Sequence, residues 1–222
     1  MILSLLPHVN WERMLSATIE TLYMTLIAAF FSFILGLLLG LILFLTSPGQ
    51  LLENKWIHRL FSAFVNIFRS IPFVILIILL LDFTKLLMGT MLGPNAALPA
   101  LIIGSAPFYG RLVEIAFREI DKGVIEASLS MGASIGTIIR KVLIPESLPA
   151  LISGITVTTI SLVGYTAMAG VIGAGGLGNL AYLEGFQRHR FDIVVVATII
   201  ILVIVFVIQW IGDFWSHQID KR

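Results

Sequence analysis

Apolar residues fill the chain in long runs rather than in the short alternations of a soluble domain. A helix needs about 20 apolar residues to cross the hydrocarbon of a bilayer. The pattern predicts five such spans, at approximately residues 21–45, 60–81, 96–116, 147–172 and 193–211, within one transmembrane domain covering residues 1–222. The first is free of charge from Thr21 to Leu52 and closes at the turn Ser47-Pro48-Gly49. Arg69 interrupts the second, and Pro99 and Pro107 predict kinks in the third. Pro149 falls in the first turn of the fourth, where proline is tolerated. The fold class expected is therefore all-α and membrane-embedded.

Between the third and fourth spans, residues 118–146 carry more order than a connector needs. Val124, Ala127, Ser128 and Met131 recur at helical spacing, with Ile125 and Leu129 beside them, and predict a short helix. Gly132 supplies a left-handed stop. Ser134 is placed to cap a second short helix carrying Ile138, Ile139, Val142 and Leu143. Pro145 is expected to end that helix by disfavouring helical geometry at Ile144. A helix lying on lipid headgroups would carry Lys and Arg on its polar face. None occurs between Gly123 and Gly136, which favours a protein partner.

Charge fixes the expected orientation. With the N-terminus outside, the inner face holds Lys55, Arg59, Arg69, Arg111, Arg118, Lys122, Arg140, Lys141, Lys221 and Arg222. The outer face then holds only Arg13, Lys85, Arg188 and Arg190. Cationic loops stay on the cytoplasmic side, so the expectation is N-out and C-in, with residues 118–146 cytoplasmic. Composition agrees with the class: of 222 residues, 58% are hydrophobic and 12% charged, against roughly 25% charged in soluble domains. The first 17 residues carry a single cation, Arg13, so the chain reads as inserting through its first span rather than through a cleaved signal. A net charge of +1 without a basic block gives no reason to expect nucleic acid. Cysteine is absent, which removes disulfides, thiolate metal sites and a cysteine nucleophile.

Candidate chemistry is sparse. No Gly-x-x-x-x-Gly-Lys-[Ser/Thr] phosphate loop occurs, so the chain has no means of hydrolysing ATP itself, and neither cofactor nor metal is expected. His8, His58, His189 and His217 lie outside the predicted spans and form no catalytic or metal-binding spacing. Gly173, Gly175 and Gly178 match the dinucleotide fingerprint, but they follow an apolar span rather than a strand. With Gly176 they read better as a break at the outer mouth of span four. Tyr165 and Met168 precede it as candidate gate or pathway residues, Met168 serving equally as a packing residue. Arg69 is expected to snorkel or to pair with Glu114 of span three. Gly36 and Gly40 allow close helix approach, within one protomer or between two.

The string Glu126-Ala127-Ser128-Leu129-Ser130-Met131-Gly132-Ala133, followed by Ile144-Pro145, resembles the EAA loop of binding-protein-dependent ABC importer permeases. Ser128 stands where that pattern has its second alanine. Further strings extend the resemblance over nearly the whole chain, to permeases of bacterial methionine importers: Thr46-Ser47-Pro48-Gly49-Gln50, Asn66-Ile67-Phe68-Arg69-Ser70-Ile71-Pro72-Phe73, Leu162-Val163-Gly164-Tyr165 and Gly173-Ala174-Gly175-Gly176-Leu177-Gly178. The resemblance implies a type I importer fold in the bacterial inner membrane and a permease homodimer. It also implies two cytoplasmic ATPase subunits that bind the ATP, and a periplasmic or lipid-anchored methionine-binding protein. Glu126, Ala127, Ser128, Met131, Gly132, Ala133, Ile144 and Pro145 would then form the ATPase-coupling segment. Import of another small amino acid stays open, as does an ion-coupled secondary transporter, for which Glu114 is the available membrane carboxylate. A membrane-embedded enzyme would need catalytic groups that the sequence does not show.

Overall fold

The computed structural model describes residues 7–219, all of whose regular structure is helical. Lys221 and Arg222, two of the cations used for orientation, lie outside the described residues. The order is α1 Trp11–Thr46, α2 Lys55–Ser70, α3 Phe73–Leu79, α4 Leu81–Met88, α5 Pro94–Arg118, α6 Lys122–Ser130, α7 Ile135–Ile138, α8 Ile144–Val171, α9 Gly176–Asn179 and α10 Phe191–Ile219. A π-helical turn, Ile139–Leu143, fuses α7 to α8, and a second, Leu180–Phe186, follows α9. Four helical stretches are long and apolar enough to cross a membrane: α1, α5, the fused Ile135–Val171 helix and α10. The pair α2 and α3 raises the number to five if it counts as one broken crossing.

That break departs from the single helix expected over residues 60–81. α2 and α3 meet at 106°. Pro72 has no N–H to give and pushes Ile71 out of helical geometry; Ile71 is extended, at φ −78° and ψ 123°. Leu80 then separates α3 from α4, which ends at Gly89 with φ +75°. The first helix also starts ten residues before the expected boundary, because the Asn10 side chain caps it by accepting the Arg13 amide at 3.1 Å.

Apolar burial is arranged around α5 and α8. Met24, Ala28, Phe73, Leu101, Leu162 and Ala169 form one cluster where α1, α3, α5 and α8 meet. Phe44, Tyr109, Phe117, Ile125, Ile138 and Leu143 form another, which joins α6 and α7 to the long helices. Gly36 and Gly40 serve packing within the protomer. A Cβ on Gly36 would lie 2.7 Å from the Tyr109 ring, and one on Gly40 would lie 2.4 Å from Val113. α1 and α5 therefore approach to backbone contact, and Ser32 and Ser105 share a hydrogen bond of 2.5 Å between them. α5 runs on through both Pro99 and Pro107. The outward faces of α1 and α10, with Leu15, Phe30, Phe206 and Trp210, remain apolar and exposed, as lipid contact requires.

Connectors gather at two ends. One end joins His8 to Asp192, Arg13 to Glu184, and the Gly93 amide to the Gly173 carbonyl at 2.9 Å. The other sets the 46–55 turn beside α6 and α7, where Gln50, Leu51, Ile125 and Ile135 border one cleft, and ties α10 to α8, where Ser216 donates to the Pro149 carbonyl.

Candidate coupling surface and path-lining residues

Asp121 starts α6 by accepting the Gly123 amide at 2.7 Å. Ile125 and Ser128 turn inward, Ile125 joining the core shared with Phe44 and Phe117. The residues expected on one face are thus divided: Val124, Ala127, Leu129 and Met131 are exposed, Met131 at 81%. Glu126 is exposed as well, and its carboxylate forms no ion pair among the described residues. It borders a cleft of about 360 Å³ together with Gln50, Lys122, Leu129 and Ile135. Gly132 ends the helix at φ +77°. The Gly132 amide donates to Leu129 and the Ala133 amide to Ser128, the paired bonds of a Schellman stop.

Ser134 caps α7 by accepting the Thr137 amide at 3.3 Å. Pro145 does not end the helix that follows, contrary to the sequence expectation. Ile144 is helical, at φ −65° and ψ −50°, and the helix runs unbroken from Ile135 to Val171. The π turn is the reason. Ile144 donates to Ile139, five residues back, so the widened turn absorbs the donor that Pro145 lacks. Ile144 and Pro145 therefore join the short helix rigidly to the long one rather than separating them.

Along α8, Tyr165 is half-buried and stacks on Phe73 of α3, with centroids 4.5 Å apart and planes 8° from parallel. Met168, one turn on, is exposed at 46% on a stripe with Val157 and Val171. The two candidate path residues thus differ: Tyr165 bridges helices, while Met168 presents nearly half its surface outside the protomer.

The glycine segment is a tightly built corner. Gly173 closes α8 at φ +97°, with its amide on Gly170 and the Ala174 amide on Ala169. Gly175 and Gly176 also take positive φ, 84° and 76°. Gly178 is needed for space, since a Cβ there would lie 2.3 Å from the Ala167 carbonyl oxygen. Two residues of α1 that sequence reading missed hold the corner. Glu20 accepts the Gly176 amide at 2.7 Å, and the Thr21 hydroxyl accepts the Leu177 amide at 2.9 Å. Asn179 donates to the Gly170 carbonyl from within the corner. The available signal was Glu20 itself, the last charge before the long uncharged run, because a carboxylate at that depth requires a donor.

Arg69 and Glu114 do not pair. Glu114 is 1% exposed and is held on its own helix by Arg111 at 2.5 Å and Arg118 at 2.7 Å. The i, i+3 and i, i+4 spacing satisfies it within α5, so it needs no cation from another helix. The Arg69 guanidinium instead lies over the Phe108 ring, 5.9 Å from its centroid. With two cations on it, Glu114 is also poorly suited to be the free carboxylate of an ion-coupled carrier. Among the described residues, no three His, Asp or Glu side chains gather where they could hold a metal.

This arrangement recurs in known proteins. Residues 36–222 match the family described as the binding-protein-dependent transport system inner membrane component. The chain belongs to this family. As an inner-membrane transport component it is 65% identical over 216 residues to the methionine import system permease protein MetP of Bacillus subtilis (strain 168), with 97% of each chain covered. It is 46% identical over 212 residues to the probable D-methionine transport system permease protein MetI of Pasteurella multocida (strain Pm70), covering 96% of this chain and 98% of that one. Its fold superposes with a TM-score of 0.94 on a chain of the inward-facing MetNI methionine ABC transporter, at 43% identity, covering 95% of this chain and 98% of the other. At 20% identity, an amino acid ABC transporter shares the fold, with a TM-score of 0.76. The type I importer permease fold implied by the EAA-like string is thus the fold of this chain.

Proposed function

We propose that the chain is the path-forming subunit of an ATP-driven methionine importer. The observation that carries this reading is α6: a short helix with an uncovered apolar face, anchored by Ile125 and continued through a Schellman stop and a π turn into a membrane helix. Such a lever transmits a push from a docked partner into α8 with little loss, because packed cores move as units. Two copies work together, with two ATPase subunits on the α6 side and a methionine-binding protein at the opposite end. The cations Lys55, Arg118, Lys122, Arg140 and Lys141 on the α6 side support assigning that side to the cytoplasm, hence N-out and C-in.

ATP belongs to the partner. Its binding draws the two ATPases together and carries Glu126, Ala127, Ser128, Met131, Gly132, Ala133, Ile144 and Pro145 inward with them. The two fused helices then rock, and the path opens outward; hydrolysis returns it. Tyr165 and Met168 lie on α8, where this motion is delivered, and act as gate residues. The corner of Gly173, Gly175, Gly176 and Gly178 shapes the outer mouth. Methionine as cargo is supported by the relatives' own names, at 65% and 46% identity over nearly the whole chain.

Labelled methionine uptake into proteoliposomes holding the permease, its ATPase and its binding protein tests the reading. Uptake should require ATP, persist when ion gradients are collapsed, and be competed by methionine above other amino acids. Uptake that survives ATP depletion while an ion gradient remains would overturn it.

A further inference from the structure

The second helix carries a polar stripe that its own protomer leaves uncovered. Lys55, Arg59, Ser62, Asn66 and Arg69 fall at intervals of three and four, on one face of α2. Trp56, Leu60, Phe64 and Ile67 occupy the other, and Val65 alone on this helix is buried. Within a membrane such a stripe needs water or a partner. It borders an open cleft of about 480 Å³ from Lys55 to Asn66, and it ends at Arg69, at the 106° bend between α2 and α3.

Arg69 borders a second cavity, of about 230 Å³, at this bend. The lining besides Arg69 is largely aromatic and aliphatic: the stacked pair Phe73 and Tyr165, with Leu76 and Phe108. Gly104 lets Leu76 and Phe73 sit close against α5 at the cavity's edge, since a Cβ there would approach them to 3.2 Å and 3.4 Å. The guanidinium makes none of the ion pairs found among the described residues, which engage Glu114, Glu184 and Asp192. Its contact with Phe108 orients the charge without neutralising it. A free, oriented guanidinium beside an apolar cavity is a receptor for a carboxylate whose other end is apolar. A cavity of about 150 Å³ already accepts benzene, so the volume here suits a medium-sized amino acid.

We infer that this cavity is an amino-acid subsite on the crossing path, where Arg69 receives the α-carboxylate and the wall of Phe73, Leu76, Phe108 and Tyr165 receives an apolar side chain. The lining contains no carboxylate for a basic side chain and no second cation for an acidic one. It therefore favours neutral, apolar amino acids and adds a selection step inside the membrane. Binding is weak by design, since a transported molecule must leave as readily as it enters. The subsite rests on the importer reading for its physiological role, though the chemistry of the cavity stands without it.

The test is photo-crosslinking of the assembled permease–ATPase complex with a diazirine analogue of methionine, followed by peptide mapping of the permease chain. Label should fall on peptides containing Phe73, Phe108 or Tyr165, and L-methionine should protect them while methioninamide, which lacks the carboxylate, should not. Arg69→Gln should lower this labelling at least tenfold and Arg69→Lys less. Gly104→Val should lower it by filling the cavity while leaving the guanidinium in place. Co-purification with the ATPase verifies that each variant is assembled. Labelling elsewhere, or labelling indifferent to both Arg69→Gln and Gly104→Val, would overturn the subsite even in a complex that imports methionine. Carboxylate-dependent labelling here in a complex that fails to import methionine would leave the subsite standing and reject the cargo instead.

Discussion

Glu20 of α1 accepts the Gly176 amide at 2.7 Å, tying the first membrane helix to a corner 156 residues later in the chain. The bond is charge-assisted, and a Cβ on Gly175 would come within 2.6 Å of the same carboxylate oxygen, so the fit leaves no slack. Glu20→Ala removes the acceptor and leaves the amide without it, a loss of about 2 kcal/mol for a bond to a charged group. The purified complex should unfold at lower temperature. Glu20→Gln, which keeps an oxygen in place, should recover much of the difference. Equal melting of all three proteins would show that the tie contributes nothing.

Gly40 offers a second measurement, on the α1–α5 contact. Gly40→Ala forces a methyl group to within 2.4 Å of Val113, and overpacking of this kind costs roughly 1–3 kcal/mol. Lower thermal stability should follow, and Val113→Gly, which removes both the Cβ and the Cγ1 that stand 2.4 Å away, should cost less in the Gly40→Ala background than in the native one. Equal costs in the two backgrounds would place the strain elsewhere.

Helix type was legible in the chain because lipid leaves backbone few options, and long apolar runs report that directly. The stop at Gly132 and the cap at Ser134 were also legible, each depending on a single local residue. Proline was the poor guide. Pro72 breaks its helix, whereas Pro145 is carried through by a π turn, and nothing local distinguishes the two. Of the two outcomes open to Arg69, snorkelling or a pair with Glu114, the pair does not form, because arginines one turn away on α5 satisfy that carboxylate. Glu20 is marked in the sequence only as the last charge before the uncharged run, and the backbone amide it meets 156 residues later carries no side-chain signal.

Met168 is exposed and belongs to none of the buried apolar clusters. If it closes the path against its counterpart in a second copy, Met168→Ala should raise basal ATPase activity or let substrate leak without ATP. Either effect should be visible in proteoliposomes. Unchanged basal activity and unchanged uptake would remove Met168 from the gate.

The proposed coupling segment, Glu126 to Pro145, has roles that separate by experiment. Gly132 holds φ +77°, a conformation that costs an L-residue roughly 1–2 kcal/mol. Gly132→Ala should therefore loosen the stop between α6 and α7 without touching the membrane core. Methionine moved per ATP hydrolysed should fall, while the amount of protein in the membrane stays the same. Glu126→Ala should act similarly, since that carboxylate is exposed and forms no ion pair among the described residues. Met131→Asp differs: it puts charge on an 81% exposed apolar side chain, so retention of the ATPase during purification should weaken. A fall in membrane abundance that tracks the loss of uptake would assign Gly132 to folding. Undiminished coupling in both Gly132→Ala and Glu126→Ala would remove α6 from force transmission, because no lever tolerates both a loosened joint and an altered contact face.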